Sequence, residues 1–325
     1  MTHAIVLDEP GGPEVLSFRE VADPVAGPGD IVVRHTAVGL NYIDTYFRSG
    51  LYTPPGGLPL ILGNEGAGVV DAVGEGVDLF APGDRVAYAG PIGAYSERRV
   101  MKAEAAVKLP AGIEDVTAAA MMLKGMTVRY LLRETYKLKA GTTILFHAAS
   151  GGVGSIAGQW AHALGATIIG TVGSEEKAEL ARQNGYTHVI NYREEDFVAK
   201  VKEITGGEGV DVVYDSVGQD TYPGSLDCLK PLGTWASFGQ ASGPIQNFSL
   251  QDLAQKGSLF ATRPTLFTYI ATRPRLEANA ADLFEAVASG RVTIDVGRTF
   301  PLADAAEAHR ALEGRQTTGS TVLLP

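Results

Sequence analysis

One cysteine, Cys228, stands in 325 residues, so no disulfide can close within the chain and no cysteine-rich zinc site can be assembled. A lone thiol of this kind is expected as a small buried hydrophobe. Positive charge is short as well: 27 Lys and Arg against 37 Asp and Glu leave a net charge of −10. That balance opposes nucleic acid or an anionic membrane as a partner, while leaving room for a local basic pocket. No apolar run approaches the roughly 18 residues of a membrane span, and the start MTHAIVLDEP has no basic stretch leading into an apolar one. A cytoplasmic protein is the expectation. Low-complexity tracts and internal repeats are also missing. With 45% hydrophobic and 20% charged residues, the composition is globular, and the length suits two domains of roughly 100 to 200 residues.

What is present changes texture along the chain. The first 120 residues hold short β-like runs, Ile31 to Thr36, Gly68 to Val73 and Arg85 to Ala89, separated by turn-rich stretches such as Pro24 to Asp30. From about Ala118, helical patterns alternate with apolar strands at Thr143 to Ala149, Thr167 to Val172 and Val210 to Tyr214, which predicts a parallel sheet covered by helices on both faces. Beyond Arg263 come helical patterns at Ala281 to Ser289 and Leu302 to Leu312, then a strand at Ser320 to Leu324. These residues alone do not say which domain that last segment joins.

The run from Thr143 to Ala149 leads directly into Ser150-Gly151-Gly152-Val153-Gly154. A strand feeding an AxGxxG turn is a variant of the dinucleotide fingerprint, with Ala149 in the first glycine's place. Gly151 and Gly152 would let backbone amides approach a pyrophosphate, and Gly154 would let helix pack closely on strand. Val153, Ile156, Ala157, Trp160, Ala161 and Leu164 follow at helical spacing and predict one buried face. The next strand ends at Gly173-Ser174, twenty positions after Gly154, where NAD enzymes place a carboxylate for the ribose 2′-hydroxyl. No carboxylate stands at that tip. Ser174 and Lys177, with Tyr192 and Arg315 farther along, form a set able to donate hydrogen bonds and positive charge to a 2′-phosphate, which favours NADPH. Glu175 and Glu176 beside Ser174 are also ordinary first-turn residues of a helix.

The chain resembles the zinc-independent quinone oxidoreductases of the medium-chain dehydrogenase/reductase superfamily, the zeta-crystallin-like group, and within it the bacterial NADPH:quinone reductases. The likeness spans nearly the whole chain. It is carried by Gly11 to Leu16, Asn41 to Tyr46, Arg48 to Tyr52, Ala81 to Val86, Leu123 to Thr127, His147 to Gly154, Tyr214 to Gly218 and Gln255 to Leu259. It implies an α/β architecture: a GroES-like β-rich catalytic domain over residues 1–123 and 264–325, and an NADPH-binding Rossmann domain, a doubly wound parallel sheet, over 124–263. It also implies a homodimer. By the same resemblance Asn41 and Thr127 would lie near the nicotinamide, Gly152 and Val153 at the pyrophosphate, and Phe238, Gly239 and Arg263 along the cofactor cleft. Ser174, Lys177, Tyr192 and Arg315 would hold the 2′-phosphate.

Zinc-dependent relatives place a cysteine where this chain has Asn41 and a histidine where it has Asn64; neutral amides are poor zinc ligands. The six histidines show no HxH, HxxH or HExxH spacing, so no metal is expected. A reductase without a Lewis acid needs an easily reduced acceptor stacked on the nicotinamide, and a quinone meets that need. On the resemblance and their chemistry, the Tyr46 and Tyr52 hydroxyls and the Asn41 amide are the candidate donors to the developing oxyanion. Asp44 is expected to orient Asn41 or a loop amide. Two other readings stay open: an NADPH-dependent enone or enoyl-thioester reductase, which needs a proton donor such as Tyr52, and a non-enzymatic NADPH-binding protein.

Overall fold

The structure, a computed structural model, describes residues 1–54 and 56–325. The chain divides into two compact units, Met1–Met126 with Ile270–Ala288 and Ile294–Pro325, and Thr127–Tyr269 with Ser289–Thr293. The division falls inside the helix Asp115–Tyr130.

The second unit is built on six parallel strands in the order His188–Asn191, Thr167–Val172, Thr143–Phe146, Val210–Asp215, Leu229–Ser237 and Phe260–Thr262. The chain starts in the middle, winds to one edge, then returns and winds to the other, so strand order reverses between Thr143–Phe146 and Val210–Asp215. That reversal opens a crevice at the carboxyl ends of the strands, where such sheets take ligands. The central strands are rich in apolar residues because both faces are covered; Ile144, Leu145, Val212 and Val213 are fully buried. Cys228 lies in the core below them, and burial pushes its thiol up to about 12.

Two expectations are corrected here. The strand predicted to run to Ala149 ends at Phe146, because Ala148 adopts φ 57° and turns the chain before the glycines arrive. The helix Gly152–Ala163 buries more than the single predicted face: Gly154, Ser155 and Gly158 are buried along with Ile156, Ala157, Trp160 and Ala161. Small residues on the second flank admit close neighbours, and Tyr186 Oη donates to Gly154 O at 2.8 Å.

The first unit holds a seven-stranded sheet in the order Val296–Pro301, Ser320–Leu324, Asp30–Leu40, Glu65–Val73, Arg85–Ala89 and Val107–Lys108, with Arg98–Lys102 also paired to Asp30–Leu40. A smaller sheet joins Leu16–Val21, Thr2–Leu7 and Leu60–Ile61. The final strand runs antiparallel to Asp30–Leu40, Val322 opposite Gly39. Asp30–Leu40 extends past the predicted Thr36 and buries Ala37, Val38 and Leu40. The helix predicted from Ala281 begins at Arg273 instead and runs to Ala288. Pro274 sits in its first turn, where a missing N–H costs nothing, and Arg273 Nε pairs with Glu277 at 2.7 Å.

Candidate functional site

Within the second unit, most of the sequence-predicted residues share the carboxyl edge of the parallel sheet. Gly151 caps the helix Gly152–Ala163 with no side chain to fill its N-terminus, so the first-turn amides stand ready for an anion. At the tip of the next strand Ser174 caps the helix Glu175–Gln183, its Oγ accepting from Lys177 N at 3.3 Å. Glu175 is turned along its own helix onto Arg182 at 2.8 Å. Val172 pairs with Asn191 across the parallel ladder, which brings Tyr192 alongside Gly173. A side chain on Gly173 would begin 2.7 Å from the Tyr192 hydroxyl and 3.6 Å from Arg193 Nε. Arg193 was not singled out from the sequence. The three acidic residues behind it, Glu194, Glu195 and Asp196, disguise it as part of a charged loop.

Phe238 and Gly239 follow the strand Leu229–Ser237, both backbone amides donating to Asp215 O, at 2.8 and 3.3 Å. The Phe238 ring packs on Phe146 with centroids 5.7 Å apart, and Arg263 Nη1 donates to Ser237 O at 2.9 Å. Thr127 is buried at the start of this unit. Asn41, Tyr46, Tyr52 and Arg315 belong to the first unit. There Tyr46 packs edge-on against Tyr52, centroids 5.2 Å apart, and Tyr52 N donates to Tyr46 O at 3.0 Å. Arg315 sits past the helix Ala305–Glu313 at φ 57°.

Asn41 stands at the N-terminus of the helix Tyr42–Arg48, in a capping box with Asp44. Asp44 is fully buried and accepts three hydrogen bonds, from Asn41 N (2.9 Å), Asn64 Nδ2 (2.8 Å) and Tyr95 Oη (3.1 Å). Asn41 Nδ2 donates to Glu65 Oε2 at 2.8 Å. The same oxygen takes the Lys124 ammonium at 2.9 Å, while Leu123 N fills Glu65 Oε1 at 2.8 Å. Lys124 and Glu65 are both buried. Sequence reasoning missed this ion pair. Its partners stand 59 positions apart in separate motifs, and no local pattern connects them.

Burial dominates the titration of these groups. It raises the Asp44 carboxyl to about 6, over the lowering effect of its hydrogen bonds, and it depresses His35 and His309 to about 3. Imidazoles with a folded pKa below their usual 6.5 contribute stability that is fully present above that value and lost as pH falls toward 3. Asp44, raised above 3.8, runs the opposite way: its contribution is full below 3.8 and is lost as pH rises through about 6. Between pH 8 and 5 the two imidazoles lose more than one carboxyl regains. The urea midpoint should therefore be lower at pH 5 than at pH 8, and an equal or higher value at pH 5 would contradict neutral buried imidazoles.

Known proteins match along both units. A family profile described as "Alcohol dehydrogenase GroES-like domain" matches residues 27–111, and one described as "Zinc-binding dehydrogenase" matches residues 152–284. Fold and site together thus define an oxidoreductase built from a GroES-like domain and a Rossmann domain. The "Quinone oxidoreductase" of Pseudomonas aeruginosa is 56% identical over 97% of each chain. A "2-haloacrylate reductase" of a Burkholderia species is 49% identical over 100% of this chain and 99% of its own length. The crystal structure of Escherichia coli quinone oxidoreductase complexed with NADPH superposes with a TM-score of 0.98 at 51% identity, over all of both chains. The chain belongs to the zeta-crystallin-like quinone oxidoreductase family of the medium-chain dehydrogenases/reductases.

The second profile's description names zinc, and the residues here do not fit it. The amide groups of Asn41 and Asn64 are turned as donors onto Glu65 and Asp44, and Lys124 already neutralises Glu65. Among the described residues no group of three or more His, Cys, Asp or Glu could hold a metal ion.

Proposed function

We propose that the chain is an NADPH:quinone reductase, working in the cytoplasm as a homodimer, with the first unit as catalytic domain and the second as NADPH-binding domain. The observation that carries the cofactor is the tip of Thr167–Val172: Tyr192 and Arg193 reach Gly173, Ser174 caps the next helix by accepting from Lys177 N, and Glu175 pairs along that helix with Arg182. A site of that composition suits a phosphate better than a ribose hydroxyl. Gly151 to Gly154 and the bare helix N-terminus fit a pyrophosphate, and Phe238, Gly239, Arg263 and Thr127 would line the remaining cleft. By the family resemblance Arg315 is a further candidate for the 2′-phosphate. The relatives named for quinones and the NADPH-bound Escherichia coli structure support the same reading.

NADPH would supply hydride from the nicotinamide. The protein's part is to hold the acceptor and to donate hydrogen bonds to the oxygen that gains charge. Tyr46 and Tyr52 are suited to that role. Asn41 is better suited to shaping the floor of the site, since its amide nitrogen already donates to Glu65. A second reading, reduction of an activated alkene, is favoured by the relative named 2-haloacrylate reductase; it would use the same hydride with Tyr52 as proton donor. NADPH oxidation measured in parallel with 1,4-benzoquinone, 9,10-phenanthrenequinone, a 2-alkenal and 2-chloroacrylate separates the readings. Turnover of quinones is expected. Activity confined to the alkenes selects the second reading, and no turnover despite NADPH binding leaves a binding protein.

Lys177→Ala should raise the KM for NADPH about tenfold, in line with one charge-assisted bond, and leave NADH nearly unchanged. Equal effects on both would remove the 2′-phosphate assignment. No helix among the described residues is long and apolar enough to cross a membrane. The homodimer is supported by the sheet edge Phe260–Thr262, whose three residues are all exposed, with Leu232 and Leu250 also exposed in the same unit. An open edge of this kind pairs readily with a second copy. Phe260→Lys should convert a dimer to monomers in light scattering, and unaltered mass would place the interface elsewhere.

A further inference from the structure

Arg48, His309 and Tyr95 make a run of buried hydrogen bonds whose direction chemistry fixes. A guanidinium can only donate, so Arg48 Nη1, 3.0 Å from His309 Nδ1, makes that ring nitrogen the acceptor. The single proton of the neutral imidazole then sits on Nε2, 3.1 Å from Tyr95 Oη. Tyr95 receives it and gives its own proton to Asp44 Oδ2 at 3.1 Å. Burial and the adjacent Asp44 carboxylate hold the Tyr95 hydroxyl well above its usual range, so it stays a donor. The far end is anchored: Arg48 forks onto Glu313 at 2.7 and 2.8 Å and donates through Nε to Gly11 O at 3.1 Å. At the near end, Asp44 also accepts from Asn41 N and Asn64 Nδ2.

We infer that Arg48, His309 and Tyr95 are positioning residues, a one-way donor chain that presents Asp44 as the acceptor fixing Asn41 and Asn64. The role rests on the proposed reading of Asn41 as part of the reaction centre. Without the chain, Tyr95 could turn its proton away, Asp44 would lose one of its three donors, and the two asparagines would be held less firmly. Packing alone does not call for this polarity, since a leucine would fill the space of His309 as well as an imidazole.

The experiment has a spectroscopic and a kinetic arm. Long-range proton–nitrogen correlation spectra of the histidine-labelled enzyme should show His309 as the neutral Nε2–H tautomer throughout pH 6 to 9; an Nδ1–H tautomer or an imidazolium overturns the chain. His309→Gln can still accept from Arg48 and donate to Tyr95, whereas His309→Leu can do neither. The leucine variant and Tyr95→Phe should lose about tenfold in kcat, the scale of one buried hydrogen bond, with the KM for NADPH within twofold, and His309→Gln should recover most of the loss. Equal kcat in the Gln and Leu variants overturns the positioning role. If His309→Leu does not fold, Tyr95→Phe, which removes one hydroxyl, decides alone. Should the wild type reduce no acceptor, the proposed function fails, and the side-chain amide signals of Asn64 still judge the chain: unchanged in the glutamine variant and shifted in Tyr95→Phe supports it, and unchanged in both overturns it.

Discussion

Lys124→Met is expected to lower folding stability by about 3–5 kcal/mol, the typical result of removing one partner from a buried ion pair. Glu65 has no exposure to water, and after the change only Asn41 Nδ2 and Leu123 N would face its carboxylate. An isolated buried charge is far costlier than a buried pair. The double variant Lys124→Met with Glu65→Gln should therefore recover a large part of the loss, since it leaves no charge uncompensated. Both tryptophans, Trp160 and Trp235, lie in the second unit, so tryptophan emission reports the wrong unit for this test. Urea unfolding followed by far-ultraviolet circular dichroism is the suitable measurement. A loss under about 1 kcal/mol, the scale of an exposed pair, would mean that water reaches Glu65.

Gly154→Val should weaken NADPH binding by about a hundredfold or more. A side chain at Gly154 would begin 2.3 Å from Ala148 O and 2.6 Å from Ala149 O, and both obstacles are backbone. The turn would have to open and carry the helix N-terminus away from the pyrophosphate position, which misaims several amides together. Gly151→Ala provides the contrast. Its nearest neighbour would be Ala148 O at 3.3 Å, a contact that a shift of a few tenths of an ångström relieves, so this variant should fold normally. Fluorescence titration with NADPH, together with the shift in melting temperature that NADPH produces, measures both. Retention of affinity within threefold in Gly154→Val would show that the turn does not carry the cofactor.

What could be read from the sequence was what is local. Thr143 to Gly154 is one continuous segment, so its strand, turn and helix could be recognised together. Its two errors, the strand end at Phe146 and the extra buried flank around Gly158, came from a positive φ at Ala148 and from packing against Tyr186, neither of which periodicity contains. Around Asn41 the sequence offered the residues but not their partners. Tyr95 and His309 are 214 positions apart and Glu65 and Lys124 are 59 apart, and only tertiary pairing brings them into hydrogen-bond range. The tip of Thr167–Val172 lies between these cases: Ser174 and Lys177 belong to one turn, Tyr192 stood out as a more distant donor, and Arg193, which the parallel ladder brings to the same tip, did not.

The solitary thiol has a practical consequence. Cys228 is fully buried, and its high pKa leaves almost no thiolate near neutral pH, so the native chain should be inert to maleimides. A cysteine introduced at exposed Arg193 would then be the one reactive thiol in the protein. Its labelling rate, slowed by NADPH and spared by NADH, would give a chemical footprint of the adenosine end without relying on turnover of any acceptor.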